Sequence, residues 1–566
     1  MPMPLQAPSH RGERVVDAML HQIAAEGVRH IFGVGGANIE DLYDAIDCNR
    51  NIIGIVAKHE FSAVTMADGY ARVGAGFGVV AATSGGGCLN LISGLGEAYA
   101  SRIPVLALVG QPSSETAGTG AFQDGSGRNG SLDIEAIFRP VSVFCRCITE
   151  AADAMDALHA AIAAARQGGP AVLLLPKNVQ QARFVSSKSS VVQISSVCTE
   201  AAASRMKLDN CARLLAGAAS RIVIIAGDEV ARRDARAQLA QLATALNACI
   251  AVTPDAKDVV DPAAPSLLGV AGIMGHPSVA AALSDAALCL LVGTRLPMVA
   301  RGGLKRLLRD MPILSIGSEP PFVPSTHWAT SDLRTWLTEL IDALPPQPKT
   351  AHPAIAPLPR CTLPVPDHQG RGLRYADAVG VIDRMTPAGA DIFVDAGNTG
   401  AASIHHLPVR KDGRFVAALG MGGMGYSFGA AIGSAFARGR RTIVVAGDGA
   451  FYMHGMEIHT AIEHHLPITF IVFDNSAHAM CVTREKIYYD AQYSFNRFHP
   501  AQLGNGMGAM FPRLPAFTAT NVEELSHALA ESVVGDGPSF VAVCCDSAEL
   551  PPFAPFLEPF ISSGRH

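Results

Sequence analysis

Residues Gly447 to Met480 read GDGAFYMHGMEIHTAIEHHLPITFIVFDNSAHAM. A Gly-Asp-Gly directly follows the β-branched run Arg441-Thr-Ile-Val-Val-Ala, which predicts a buried parallel strand ending in a tight turn. Gly447 and Gly449 leave room for the backbone to approach a ligand, and Asp448 projects a carboxylate from the carboxyl edge of the sheet, where α/β folds bind phosphates. A second strand, Ile468-Thr-Phe-Ile-Val-Phe, ends in Asp474-Asn475. If both strands share one sheet, Asp448 and Asn475 reach the same edge as two hard oxygen ligands, the kind Mg²⁺ takes when it also holds a diphosphate. Read without its neighbour, the Gly-Asp-Gly is equally an ordinary strand-ending turn. The second strand with its terminal Asn favours the metal-diphosphate reading.

The rest of the chain bounds what such a site serves. At 566 residues the chain exceeds one core and predicts three or four domains. Hydrophobic residues at 49% against charged residues at 17% describe a core-rich globular protein. A formal charge of -6 without a basic run argues against nucleic acid and acidic membrane surfaces as partners. No apolar stretch has membrane-span length and no basic-then-apolar leader opens the chain, so a cytoplasmic location is expected. The 12 cysteines are scattered without CxxC pairs and read as small buried hydrophobes rather than bridges.

Along the chain, strands alternate with helices. The first region runs from an amphipathic helix at VVDAMLHQIAAEGV through His30-Ile-Phe-Gly-Val, Ile52-Ile-Gly-Ile-Val, a helix from His59 to Arg72, Gly78-Val-Val-Ala-Ala-Thr, a helix from Asn90 to Ala100 and Val105-Leu-Ala-Leu-Val. It closes at Gly169-Pro-Ala-Val-Leu-Leu-Leu-Pro. Such alternation predicts a parallel, doubly wound sheet. A Ser-rich stretch, Ser186 to Ser196, and a Pro-rich one, Pro345 to Pro366, read as linkers, and residues 1–12 as a loose tail. The expectation is α/β throughout: three doubly wound parallel-sheet domains at 12–184, 200–343 and 372–552.

Lys58-His59-Glu60 followed by an Ala-rich helix with Ala-Asp-Gly-Tyr-Ala-Arg72, together with the Gly-Asp-Gly and Asn475 segment, resembles the thiamine diphosphate (ThDP) enzymes, in particular their acetolactate synthase and 2-oxo acid decarboxylase branch. The resemblance covers nearly the whole chain and implies pyrimidine-binding, middle and diphosphate-binding domains. It assigns Glu60 to hydrogen-bond N1′ of the aminopyrimidine; on the residue alone, Glu60 is a first-turn acid favoured by the helix dipole. Deprotonating a weakly acidic thiazolium C2 needs a base held at contact distance, and the relay from Glu60 through the cofactor's own amino group supplies one. The resemblance places Met424, in Gly422-Gly-Met-Gly-Tyr-Ser-Phe-Gly, as the apolar wedge under the two rings, with the Gly422 carbonyl accepting from the 4′-amino group. A Met among glycines is otherwise a gap filler. Gly397, Asn398 and Thr399, in Asp395-Ala-Gly-Asn-Thr-Gly, correspond to the second phosphate loop; an Asx turn opening a helix would use the same residues. Asp448, Asn475 and the carbonyl of Ala477 complete the implied Mg²⁺ ligands.

Substrate positions carry less. Ala121-Phe122-Gln123 is similar to a segment that lies near the reacting carbon in acetolactate-synthase-like proteins, but a long Gly-rich loop follows it. Gly35 and Gly86 stand where many relatives have proline. His478 reads either as a proton shuttle or oxyanion donor or as a loop histidine, and Met480 faces the same side. Arg484 reads as a partner for a substrate carboxylate or as a surface arginine. FAD is not expected, because Thr294 to Arg301 only loosely matches the flavin-adjacent stretch. The implied activity is decarboxylation of a 2-oxo acid, pyruvate or similar, with transfer of the acyl unit to a carbonyl acceptor. The alternatives are a 2-oxo acid decarboxylase or oxidase without that transfer, an NAD-dependent protein suggested by the middle domain, and a non-catalytic ThDP-fold scaffold. A homodimer or homotetramer with active sites at the subunit interface is implied by the resemblance.

Overall fold

The computed structural model describes residues 13–74, 76–185, 197–218, 221–345, 359–410, 412–490 and 495–562. The tail 1–12, the Ser-rich linker 186–196 and most of the Pro-rich linker lie outside them. The chain forms two compact units: Met1–Val192 with Gly420–Arg438, and Gln193–Leu419 with Gly439–His566.

The first unit holds β1 (His30–Val34), β2 (Ile53–Val56), β3 (Gly78–Ala82), β4 (Val105–Gln111), β5 (Phe144–Cys147) and β6 (Pro170–Pro176) in a parallel sheet of order β2-β1-β3-β4-β6-β5. Continuous apolar runs form the central strands: every residue of β3, β4 and β6 is buried. At one edge, Ile53 and Val56 of β2 are more than half exposed.

The helix Glu60–Arg72 is buried from Phe61 to its end and packs along the helix Tyr426–Arg438. Burial all round demands partners for its charges. Arg72 Nε lies 2.6 Å from Asp68 Oδ1 and its Nη2 3.6 Å from Glu97, while the Tyr426 hydroxyl donates to Asp68. Where these helices cross, a Cβ on Gly69 would fall 2.1 Å from the Ala430 carbonyl oxygen, so the backbones touch. Gly69→Leu is therefore expected to destabilise the protein by about 1–3 kcal/mol or more through overpacking, read as a lower urea midpoint at unchanged slope.

The second unit holds two sheets. One contains β7 (Ile222–Ala226), β8 (Cys249–Val252), β9 (Leu267–Val270), β10 (Leu288–Val292), β11 (Ile313–Gly317) and β12 (Thr326–Ala329), ordered β12-β11-β10-β7-β8-β9. The other contains β13 (Asp391–Val394), β14 (Phe415–Ala417), β15 (Thr442–Gly447), β16 (Ile468–Asp474), β17 (Ala516–Ala519) and β18 (Ser539–Cys544), ordered β14-β13-β15-β16-β18-β17. The third sheet thus repeats the connectivity of the first. In this unit Arg414, directly before β14, donates to Asp258 and, at 3.1 Å, to Asp228, joining the start of that strand to the middle domain by buried ion pairs.

All three sheets are parallel with interleaved helices, as the alternation predicts. Short edge strands escaped the sequence reading because β5 (FCRC) is half-buried along its length and β14 has three residues, so neither carries a long apolar run. The helix expected from Asn90 to Ala100 is instead two pieces, Gly86–Asn90 and Ile92–Ala100. No described helix is long and apolar enough to cross a membrane, and the described cysteines are free.

Candidate active site

Strand order reverses between β13 and β15, which makes their carboxyl ends the switch-point crevice of the third sheet. After β13 the chain turns at Gly397, whose φ of +100° suits glycine, into the helix Asn398–His406. After β15, Asp448 starts the helix Asp448–His454. Here the structure corrects one detail: Gly447 has an ordinary φ of −90° and Gly449 is not left-handed, so the Gly-Asp-Gly is a strand-to-helix junction rather than a glycine-dependent turn. What Gly447 supplies is room, since a Cβ there would stand 3.8 Å from Thr399 Oγ1, where the two loops meet.

Asp448 is 1% exposed. Its Oδ1 accepts from Gly449 N at 2.8 Å and its Oδ2 from Asn475 N at 3.2 Å, so the two strand ends are joined directly. Burial, and then the neighbouring Asp474, push the Asp448 carboxyl up to about 7. A buried carboxylate held at such cost is stabilised by a bound cation. Asn475 Oδ1 accepts from Ala477 N at 3.1 Å, and its amide nitrogen lies 3.4 Å from the Tyr375 hydroxyl. Ser476, at φ +55°, bends the chain so that Ala477 pairs with Arg497 and His478 N donates to Asn496 O. Asn398 is 3% exposed, and neither polar atom of its side-chain amide has a hydrogen-bond partner at normal distance among the described residues. That orphaned amide, the helix N-terminus behind it and the Asp448–Asn475 pair together fit a diphosphate carrying a hard cation. Among the described residues no group of three His, Cys, Asp or Glu side chains is placed to hold a metal ion.

Glu60 lies in the first unit, at the start of its buried helix, with His59 Nδ1 capping Phe61 N at 3.0 Å. It is half-buried; Oε2 accepts from Asn90 Nδ2 at 2.9 Å, and Oε1 is 3.1 Å from where a Cβ on Gly87 would sit. The Tyr43 hydroxyl is buried with no hydrogen-bond partner among the described residues, its ionisation held well above the ordinary value by burial and then by the charge of Glu60. Gly422 and Met424 belong to the same unit as Glu60. The Glu97 carboxylate accepts the N–H groups of Gly420, Met421 and Gly422 at 3.2, 2.6 and 3.2 Å, which fixes the loop leading to the half-buried Met424.

Near Glu60 the first unit holds several of the substrate candidates, Thr83 linking it to Gln123. Gln123, strained at φ +60°, accepts from Thr83 Oγ1 at 3.4 Å and Ser84 Oγ at 3.3 Å. A Cβ on Gly85 would fall 2.7 Å from Gln123 Cγ, so Gly85 is the glycine this packing needs, whereas Gly35 and Gly86 face open space. Phe122 is 75% exposed, its carbonyl accepting weakly from Asn38 at 3.5 Å. In the second unit, His478 is half-buried with its ring edge-on to Phe498 at 4.8 Å, and Met480 packs against the core. Arg484 is exposed, 5.6 Å from the Tyr488 ring centre.

Sequence reasoning missed Asn90, Tyr43, Glu97, Tyr375 and Glu549, because no spacing links them to the motifs they touch. Glu549 is 3% exposed and accepts the Tyr375 N–H with both oxygens at 3.0 Å. Burial pushes its carboxyl up to about 7. Because this folded value exceeds the unfolded one, the stability it contributes is full below about pH 4 and is lost as pH rises through about 7. Glu549→Gln is expected to flatten that slope, gaining on the order of 1–3 kcal/mol relative to the parent between pH 5 and 8, measured by urea unfolding of the cofactor-free protein.

The chain matches three family profiles in order: the N-terminal thiamine pyrophosphate (TPP) binding domain over residues 13–129, the central domain over 208–344 and the C-terminal TPP binding domain over 395–543. It is 26% identical to the acetolactate synthase isozyme 2 large subunit of Escherichia coli, over 94% of this chain and 95% of that one. To the isozyme 1 large subunit of the same organism it is 26% identical over 94% of each. An X-ray structure of a Mycobacterium smegmatis protein assigned to the thiamin diphosphate-dependent enzymes shares the fold at a TM-score of 0.78, covering 94% of this chain and 99% of that one at 21% identity. With all three profiles matched in order and the acetolactate synthase large subunits aligned along nearly their whole length, the chain belongs to the thiamine pyrophosphate enzyme family and is acetolactate synthase-like.

Proposed function

We propose that the protein uses ThDP and Mg²⁺ to decarboxylate a 2-oxo acid, pyruvate or a near relative, and to transfer the acyl unit to a carbonyl acceptor. The observation that carries this reading is the buried Asp448, joined to Asn475 and facing the Asn398 loop at one switch point. When bound, ThDP supplies a nucleophilic thiazolium carbon and an electron sink for the carboxylate's departure. Asp448, Asn475 and the Ala477 carbonyl would hold Mg²⁺, while Gly397, Asn398, Thr399, Gly447 and Gly449 would take the diphosphate. Glu60 would hold the proton at N1′, with the Gly422 carbonyl accepting from the 4′-amino group and Met424 keeping the rings folded together. Gln123 and His478 would serve proton transfer or the developing oxyanion, and Gly35, Phe122, Met480 and Arg484 would line the substrate side.

FAD is not part of the proposal. The domains are taken as 12–184, 200–343 and 372–552, in a homodimer or homotetramer whose active sites are completed at the subunit interface. The test is a panel of 2-oxo acids offered with ThDP and Mg²⁺, with and without a second oxo compound, following CO₂ and coupled product. Coupled product supports the reading; CO₂ without it selects the decarboxylase, and no turnover of any oxo acid overturns the carboligase reading.

A further inference from the structure

The helix Asn398–His406 presents the diphosphate loop at one end, and its other end is gripped by the middle sheet of the same unit. Lys257, in the turn Lys257–Val259 after β8, points its Nζ at three carbonyl oxygens of the last turn: Ser403 at 3.1 Å, Ile404 at 2.6 Å and Leu407 at 2.5 Å. An ammonium has three N–H donors, so all are matched. Its Nζ also lies 4.4 Å from the Phe415 ring centre, and among the described residues no carboxylate lies within ion-pair distance of it. A buried cation without a counterion is costly; here the partial negative charge at a helix C-terminus compensates. Burial, and then the charge of Arg360, push the amine down to about 7, opposed by the charge of Asp383.

A second grip from the middle sheet holds the same turn. His405 Nε2 accepts from Leu363 N at 3.1 Å, which leaves Nδ1 to donate to the Met274 carbonyl at 3.0 Å. Its ring stacks at 4.5 Å on His276, whose own Nδ1 accepts from Val270 N at 3.0 Å. Both imidazoles are thereby neutral, so the positive charge facing these carbonyls is that of Lys257.

We propose that Lys257 is a positioning residue for the cofactor's diphosphate: by holding the C-terminus of the Asn398–His406 helix it fixes where the N-terminal amides and Asn398 stand. The helix is nine residues, about 13 Å, and a rigid rod of that length transmits an axial shift from one end to the other. This rests on the reading that the Asn398 loop takes a diphosphate.

The test compares full-length parent, Lys257→Met, Lys257→Gln and Arg236→Met, titrated with ThDP plus Mg²⁺ and separately with inorganic diphosphate plus Mg²⁺ by calorimetry. Arg236 is the control, since it pairs with Asp258 at 3.0 Å in the other tether to the middle sheet and does not touch the helix. Lys257→Met is expected to weaken both ligands by about 10-fold or more, Lys257→Gln by less, and Arg236→Met by under about 2-fold. If Lys257→Met does not fold, Lys257→Gln carries the comparison alone. Parent-like affinity in the folded Lys257 variants, or an equal loss in Arg236→Met, overturns the positioning role. A parent that binds neither ligand overturns the diphosphate reading instead.

Discussion

Glu60→Gln is expected to lower turnover of the 2-oxo acid by about 10²–10⁴-fold, the range for losing a positioned acid–base group. The substitution keeps the size of the side chain and an oxygen to accept from Asn90, which now lies 2.9 Å from Oε2. ThDP affinity is therefore expected to change far less than kcat. The competing account makes Glu60 a first-turn acid that only favours its helix; the cost is then about 0.3–1 kcal/mol of stability with turnover intact. Steady-state kinetics beside a urea melt separates the two. Full activity in Glu60→Gln would sink the relay whatever the substrate proves to be.

Asp448→Asn is expected to trade binding for stability. Mg²⁺-dependent ThDP binding should weaken by at least about 100-fold, because a neutral amide replaces the single carboxylate assigned to the cation. In the cofactor-free protein the same change should be neutral or stabilising at pH 8. The folded Asp448 carboxyl is raised to about 7, above its unfolded value, so the stability it contributes is present below about pH 4 and lost as pH rises through 7. An amide does not ionise and escapes that loss. A variant less stable than the parent at pH 8 would mean that Asp448 holds the two strand ends together chiefly through Gly449 N and Asn475 N rather than awaiting a cation. Calorimetric titration and thermal melts at pH 5 and 8 read both halves.

The sequence determined the fold class and where the cofactor-like segments lie along the chain, because each depends on local pattern. Buried parallel strands are long apolar runs, and Gly447-Asp448-Gly449 and Asn475 each terminate one. Local pattern could not reach the contacts that make a loop into a site. Asn90 meets Glu60 across 30 positions, Glu97 gathers Gly420 to Gly422 across more than 300, and Glu549 holds the start of the Tyr375 helix across 174. Lys257 is a further case. In sequence it is one charged residue after a strand; only tertiary packing removes its water and leaves three helix carbonyls as acceptors. Burial is decided by the whole chain, and burial moves Asp448, Glu549 and Lys257 from ordinary charges to groups that titrate near pH 7. Strand order likewise belongs to the folded sheet: Asp448 and Asn398 share one crevice because β15 and β13 are neighbours at the point where the winding reverses.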